Sequence, residues 1–399
     1  MPRVMIICGS YPADVISGAD LRFQNLSKQL AERNETYIVS FGDVSEDIDP
    51  RSHLGVRDFD TLPQIPKTGR SPLRHLRATN THFLERSVPA YLAESRTKVV
   101  KLVAQWKIDV LVCLVPPAAE IVLPIDLPKL LDYCDSRTLT FRRMLENRGS
   151  EMGIRERLGI YVKSFRQSHL ERALVRRFDR TTTISNADRD CLLEVSGATP
   201  EKVVVIPNGV SGSALKLDST RSSRKRSVVF WGNLDFPPNW TAVDYFNTRI
   251  FLPYLADKGI EWHIIGKGAD DSIRQLAEHS QIHLHGFVED LYAEIASHGA
   301  MINPMVEGGG LKNKVLEAFA CRLPVVSTTM GIEAVGAQPN EQYLVADDPA
   351  AFAAAVIRCL EDTELVTSMA GAARQFVEDH FEWNAIGEQL DDIVQEISR

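Results

Sequence analysis

The sequence predicts an α/β protein of two Rossmann-like, doubly wound domains, and three observations carry that reading. Short apolar runs alternate with amphipathic stretches along all 399 residues. Both halves open on the same order of strand, glycine loop, helix and strand. Between them lies GVSGSALKLDSTRSSRKRS, poor in apolar residues and rich in Ser, Gly, Lys and Arg.

In the first half, Val4 to Cys8 reads as a buried strand, followed by a glycine-containing loop to Gly18, a helix from Ala19 to Glu32 and a second strand from Thr36 to Phe41. Leu21, Leu26 and Leu30 recur at helical spacing, while the strands are continuous apolar runs, as strands covered on both faces are. Val110 to Val115, Lys129 to Tyr133, Thr181 to Ile184 and Val203 to Ile206 are further strands, and Pro207-Asn208-Gly209 stops the last. The second half repeats the opening with Val228 to Trp231, a loop at Gly232, a helix through Val243 and Phe246, and Glu261 to Ile265. Ile282 to Leu284, Ala300 to Pro304, Pro324 to Ser327 and Gln342 to Val345 continue the alternation, and helices close the chain. The expected organisation is a domain over 1–209, a linker over 210–226, a second domain over 227–381, and a helix over 382–399 that could return to the first domain.

Composition excludes several classes. Forty-five Lys and Arg against 53 Asp and Glu leave a net charge of −8, which argues against a general nucleic-acid binder. Six cysteines without a CxxC suggest neither a zinc site nor a disulfide framework, and a reducing, cytoplasmic setting fits. The run before Gly9 is too short for a signal-peptide core. The stretch from Ile108 to Ile125 is broken by three prolines and two acids, so no membrane span is expected.

Chemistry concentrates in MINPMVEGGGLKNKVLEAFACRLPVVST, Met301 to Thr328. A strand ends near Met305, three glycines permit a tight turn, and a helix runs from about Leu311 to Cys321. Lys312 and Lys314 stand at that helix start, where cations oppose the dipole and a bound anion would reconcile them. Glu317, three residues on, shares the face of Lys314. A solvated Lys–Glu pair worth about 0.3 kcal/mol is the competing reading.

Three segments in order, ISNADRDCL, KVVVIPNGV and GGGLKNKVLEAFACRLPVVSTTMGIEAV, together with the opening loop and helix, resemble the retaining glycosyltransferases of family 4. That resemblance implies the GT-B fold, two Rossmann-like domains facing each other across a cleft. It implies transfer of a sugar from a nucleotide-sugar donor to a saccharide, lipid-linked or small-molecule acceptor, with anomeric configuration retained and neither metal nor cofactor required. Carried over residue by residue, Lys312 and Lys314 would hold the leaving diphosphate, and Glu317 would meet the ribose hydroxyls. Gly286, Phe287 and Val288 would border the nucleobase, and Gly18 would admit the donor phosphates.

The chain departs from the family pattern in three places. The family's paired glutamates have seven residues between them, whereas Glu307 and Glu317 have nine, so that a gapless match puts Gly309 first. The loop residues Glu307, Gly309, Gly310 and Leu311 are therefore all donor-site candidates. Where relatives carry Arg and Lys after the first strand of the C-terminal domain, WGNLDFPPNW offers Asn233 and Asn239. The usual N-terminal histidine has no counterpart in KLLDYCDSRT, which leaves Asp132 or, preferentially, Asp135 to position or deprotonate the acceptor. Capping a turn with Ser136 is the alternative role for Asp135.

Other features read more plainly. His283 and His285 share a strand face without a visible third ligand and are taken as ordinary strand histidines. Asp270-Asp271 and Asp347-Asp348 read as helix caps or solvated charges. Residues 137–180 hold twelve Lys and Arg against five acids, with Ile154, Leu158, Tyr161 and Phe165 at helical spacing. A core-facing stripe under a solvated basic face is preferred there to contact with an anionic membrane. A nucleotide-sugar epimerase of similar architecture and a non-catalytic sugar-binding or partner subunit remain the rival readings. A dinucleotide oxidoreductase is disfavoured because no G-x-G-x-x-G follows either opening strand. Oligomeric state is not legible.

Overall fold

The computed structural model describes residues 1–9, 11, 18–45, 47–66, 83–114, 116–149, 152–217, 225–308 and 310–399. They form two compact units, one of Met1–Asn208 with Trp383–Arg399 and one of Gly209–Glu382.

The first unit holds seven described strands: β1 (Arg3–Cys8), β2 (Glu35–Phe41), β3 (Asp58–Leu62), β4 (Val110–Cys113), β5 (Lys129–Cys134), β6 (Arg180–Thr183) and β7 (Val203–Val205). They pair in parallel in the order β3-β2-β1-β4-β5-β6-β7. Val4 through Ile7 are wholly buried because cores form on both faces of this sheet. Each such side chain withdrawn from water contributes about 1.5–3 kcal/mol. β3 is absent from the sequence reading: DFDTL lacks an apolar run because it is an edge strand. Its acids are paired instead, Asp58 with Arg51 at 2.7 Å and Asp60 with Lys98 at 2.8 Å.

The closing helix, Trp383–Ile397, belongs to this unit. Its Ile386, Leu390 and Val394 pack with Leu26 and Leu30 of the Gly18–Arg33 helix. At the crossing, a Cβ on Gly387 would come within 2.6 Å of the Gln29 Cβ, so only glycine permits that approach.

The second unit holds β8 (Ser227–Trp231), β9 (Glu261–Ile265), β10 (Ile282–His285), β11 (Ala300–Asn303), β12 (Val325–Ser327) and β13 (Leu344–Val345). These too are parallel, ordered β10-β9-β8-β11-β12-β13. Both sheets thus reverse direction beside their opening strand, between β1 and β4 and between β8 and β11.

Residues 210–217 do not form the solvated connector expected over 210–226. Val210 accepts a place beside Glu382 and donates its N–H to the Phe381 carbonyl at 2.9 Å, and Ala214 is fully buried in a short helix, Gly212–Lys216. Two small apolar anchors in a polar run were enough to tie it to the second unit.

The Ile154–Arg177 helix differs from expectation as well. Ile154, Leu158, Tyr161 and Phe165 are 88%, 62%, 52% and 67% exposed. The face that meets the protein carries Ile160, Ser164, Glu171, Leu174 and Val175 instead. Spacing set one apolar face correctly, but the first half of the helix presents that face outward. No described helix is long and apolar enough to cross a membrane.

Candidate functional site

In an open parallel sheet, ligands meet the carboxyl edge where strand order reverses. In the second unit that place lies beyond β8 and β11. β8 ends at Trp231 and the chain turns through Gly232 into the helix Pro237–Tyr245. β11 leads through Gly308 and Gly310, at φ +112° and +68°, into the helix Asn313–Ala320. Gly309 lies outside the described residues. Left-handed backbone at both flanking positions explains why glycines stand there.

Lys312 is the N-cap residue of Asn313–Ala320 but supplies no capping acceptor, and no acid occupies the first turn. The Val315 N–H donates to the Lys312 carbonyl at 2.9 Å, so backbone rather than a capping side chain closes the first turn. Lys312 Nζ donates to the Gly310 carbonyl at 3.0 Å, closing the glycine turn. Lys314 Nζ donates to Asn239 Oδ1 at 2.7 Å and sits 4.0 Å above the Phe230 ring. A Cβ on Gly232 would lie 2.7 Å from Asn239 Nδ2 and 3.3 Å from Lys314 Nζ, so glycine there keeps the backbone close to both. Burial, and then the charge of Lys312, bring the Lys314 ammonium down to about 7.

Glu317 accepts the indole N–H of Trp231 at 2.8 Å. Burial raises its carboxyl above the usual range, against the pull of that hydrogen bond and of Lys314. Tyr292 shares the site: burial foremost, then the Glu317 charge, pushes its phenol far up, so the hydroxyl is a donor at all ordinary pH. Glu307 is committed sideways, accepting from Thr241 Oγ1 at 2.7 Å and so tying the glycine loop to the Pro237–Tyr245 helix. Leu311 is buried and seats the other end of that loop. Asn233 is exposed. Its Oδ1 accepts from the Asp235 N–H and its carbonyl from Asn239 Nδ2, which shapes the turn after Gly232. Gly286 and Val288 leave the same carboxyl edge from β10, with Phe287 72% exposed between them and Lys267 Nζ 4.4 Å from its ring. Trp231, Tyr292 and Thr241 went unnoticed in the sequence: a strand-end tryptophan looks like core, and only the fold aims its N–H at Glu317.

In the first unit the two aspartates separate. Asp132 is buried in a two-pronged pair with Arg22, at 2.7 Å to Nε and 2.6 Å to Nη2, and accepts from Thr182 Oγ1 at 2.7 Å. It is structural. Asp135 is exposed at the end of β5, and Ser136 rather than Asp135 caps the following helix, accepting from the Leu139 N–H. Gly18 is exposed at the start of the helix after β1. Asp270 and Asp348 cap helices, and Asp347 accepts from Thr329.

Two doubly wound parallel sheets in one chain give the GT-B fold, with Lys312 and Lys314 standing at a helix start beside the switch point of the second sheet. Comparison with known proteins adds the particulars. Residues 225–362 match the family model described as glycosyl transferases group 1, and residues 155–212 that of Glycosyltransferase Family 4. The matches and the fold together support a glycosyltransferase of the GT-B superfamily. An uncharacterised 44.6 kDa protein of the cps region of Klebsiella pneumoniae is 26% identical over 165 residues, 39% of this chain. The match spans only 42% of that relative's length. Among solved structures, Anabaena HepE in complex with UDP aligns with TM-score 0.66 at 15% identity, over 99% of this chain and all of that one. A mutant of S. aureus TarM, in complex with Fondaparinux, alpha-GlcNAc-glycerol and UDP, aligns with TM-score 0.68 at 12% identity, over 98% and 99% of the two chains. At these identities the likeness is one of fold.

Proposed function

We propose that the chain is a retaining glycosyltransferase that moves a hexose from a UDP-linked donor to an acceptor hydroxyl without a resident metal at the leaving group. The observation that carries this reading is the placement of two lysines, Lys312 and Lys314, at a helix start beyond the switch point of the second sheet. As the anomeric C–O bond breaks, charge builds on the departing diphosphate. Cations fixed at that helix start then bind the transition state more tightly than the ground state. Glu317, held by Trp231, is placed to accept from ribose hydroxyls, and Gly286 to Val288 border the base. UDP is the first carrier to test because HepE and TarM are both seen with it. Asp135 is the candidate that positions or deprotonates the acceptor. Retention follows either from attack on the leaving-group face or from a double displacement.

The exposed stripe of Ile154, Leu158, Tyr161 and Phe165, beside Arg155, Arg157 and Lys163, favours work at an anionic membrane from the cytoplasmic side, with a lipid-linked or saccharide acceptor.

The decisive experiment incubates the purified full chain with UDP-sugars and a panel of saccharide and lipid-linked acceptors, and follows products by NMR. A glycoside with the donor's anomeric configuration supports the proposal, and an inverted product overturns retention. Isomerised donor in the absence of acceptor would make the protein an epimerase. UDP-sugar binding without turnover on every acceptor would make it a binding subunit.

A further inference from the structure

We propose that Glu261, His263 and His283, on the β9–β10 edge of the second unit, bind a divalent transition-metal ion such as zinc, at a place separate from the switch-point cations. Sequence spacing left His283 and His285 as unremarkable strand residues. The parallel register changes that, because His283 stands directly opposite His263. Strand alternation puts Glu261 on the same face, two residues before His263. The opposite face of β9 carries Trp262 and Ile264 into the core, so the edge offers one purely apolar side and one side of ligand atoms.

The hydrogen bonding is incomplete in a telling way. His263 is 7% exposed, and its Nδ1 is 2.9 Å from His285 Nε2. With Nδ1 donating there, Nε2 carries the lone pair. That Nε2 and the Nε2 of His283 are both enclosed and make no hydrogen bond among the described residues. They converge on one carboxylate, with Glu261 oxygens 3.5 Å from His263 Nε2 and 4.0 Å from His283 Nε2. Two enclosed ring nitrogens without a hydrogen bond, each able to present its lone pair in one tautomer, beside a carboxylate form a donor set that a cation would join. The three donor atoms lie within 4.8 Å of one another. Bonds of about 2.0–2.1 Å to zinc require a modest closing movement, which the half-exposed Glu261 side chain can supply.

The surroundings are those of an oriented metal ligand. An imidazole whose second nitrogen is hydrogen-bonded has its ring oriented, as His285 does here for His263. His298, fully buried just after the helix Leu291–Ala296, has its ring centre 4.3 Å from that of His263, tilted at 46°, and is itself held by Ser227 at 2.7 Å. Two imidazoles and a carboxylate suit zinc, cobalt or nickel; calcium and magnesium prefer oxygen alone. Glu261 faces solvent, which leaves a fourth position to water. An ion here would pin β10 to β9 immediately before the Gly286 to Val288 turn.

The test uses the tag-free full chain, stripped with chelator and titrated with zinc alone, with metal content read by mass spectrometry. Cobalt absorption reports the ligand field. One zinc per chain is expected, weakened at least about tenfold in Glu261→Gln and in His283→Gln, both partly exposed positions whose metal-free melting temperatures should match the parent. Absence of stoichiometric zinc in the parent overturns the proposal, as does unchanged affinity in both variants. A second triad, His263 with His285 and Glu294, shares one ligand. Loss of zinc in Glu294→Gln with none in Glu261→Gln would overturn the assignment in its favour.

Discussion

Lys314 and Asn239, 75 residues apart in the chain, meet beyond the ends of two strands that are neighbours in the sheet, the ammonium donating to the amide oxygen at 2.7 Å. The bond aims a partly buried cation at the start of the Asn313–Ala320 helix. Lys314→Met should lower kcat/KM for the donor by about 10²–10³, the range seen on removal of a transition-state donor. The thioether can still cover Phe230, and deleting a buried ammonium removes a desolvation cost, so the melting temperature should hold or rise. Kinetics equal to the parent's would remove Lys314 from the reaction.

The same ammonium, brought down to about 7, makes donor binding pH-dependent. A diphosphate favours the charged lysine, so UDP affinity should fall as pH rises above about 7, by at most about tenfold per pH unit. Calorimetry at pH 8 in two buffers of different ionisation enthalpy should register proton uptake that disappears in Lys314→Met; equal uptake in both proteins would refute the assignment. Without ligand, the unfolded chain keeps this proton up to about 10.5 while the native state releases it near 7. The unfolded state then binds more protons, and the contribution of Lys314 to stability rises with pH across that window.

Trp231 holds Glu317 by a single indole N–H. Trp231→Phe keeps the aromatic bulk and frees the carboxylate to drift. The expected result is a donor KM raised about tenfold, matching the ~1.5 kcal/mol typical of a hydrogen bond to a charged group, with kcat little changed. A fall in kcat with KM unchanged would contradict a ground-state positioning role.

Asp132 and Asp135, three residues apart, should behave oppositely. Asp132→Ala strands the buried Arg22 guanidinium and should cost about 3–5 kcal/mol in chemical denaturation. Asp135→Ala, at an exposed position, should stay within about 0.5 kcal/mol of the parent while transfer activity drops. Full activity in the latter variant would exclude Asp135 from the acceptor step.

The outward stripe on Ile154–Arg177 can be challenged with Leu158→Glu and Phe165→Glu. Sedimentation with phosphatidylglycerol-containing vesicles should weaken about tenfold or more and become less salt-sensitive overall, with stability nearly unchanged because both sites are exposed. Vesicle binding identical to the parent's would leave the stripe without a membrane role.

Local rules carry far in this chain. Buried parallel strands announce themselves as unbroken apolar runs, so that all but β3 were legible, and β3 hid because an edge strand satisfies its charges rather than burying them. Glycines at positive φ and cations at a helix start are contiguous features, which is why the Met301 to Thr328 segment could be singled out. Its Lys314 and Glu317, three apart, necessarily share a face. Whatever depended on register or on the orientation of a whole helix stayed hidden.

By itself, then, the sequence determined two repeating α/β halves, the place of the glycine turn and the cations beside it, since each is written within a dozen neighbouring residues. Tertiary structure alone decided that Asp132 is spent on Arg22, 110 residues away, that Trp231 serves Glu317, that the apolar face of Ile154 to Phe165 looks outward, and that His263 and His283 face one another. The physical reason is common to all four: a side chain's partners across strands or helices are chosen by parallel pairing and packing, and neither periodicity nor composition records which residue will be brought opposite.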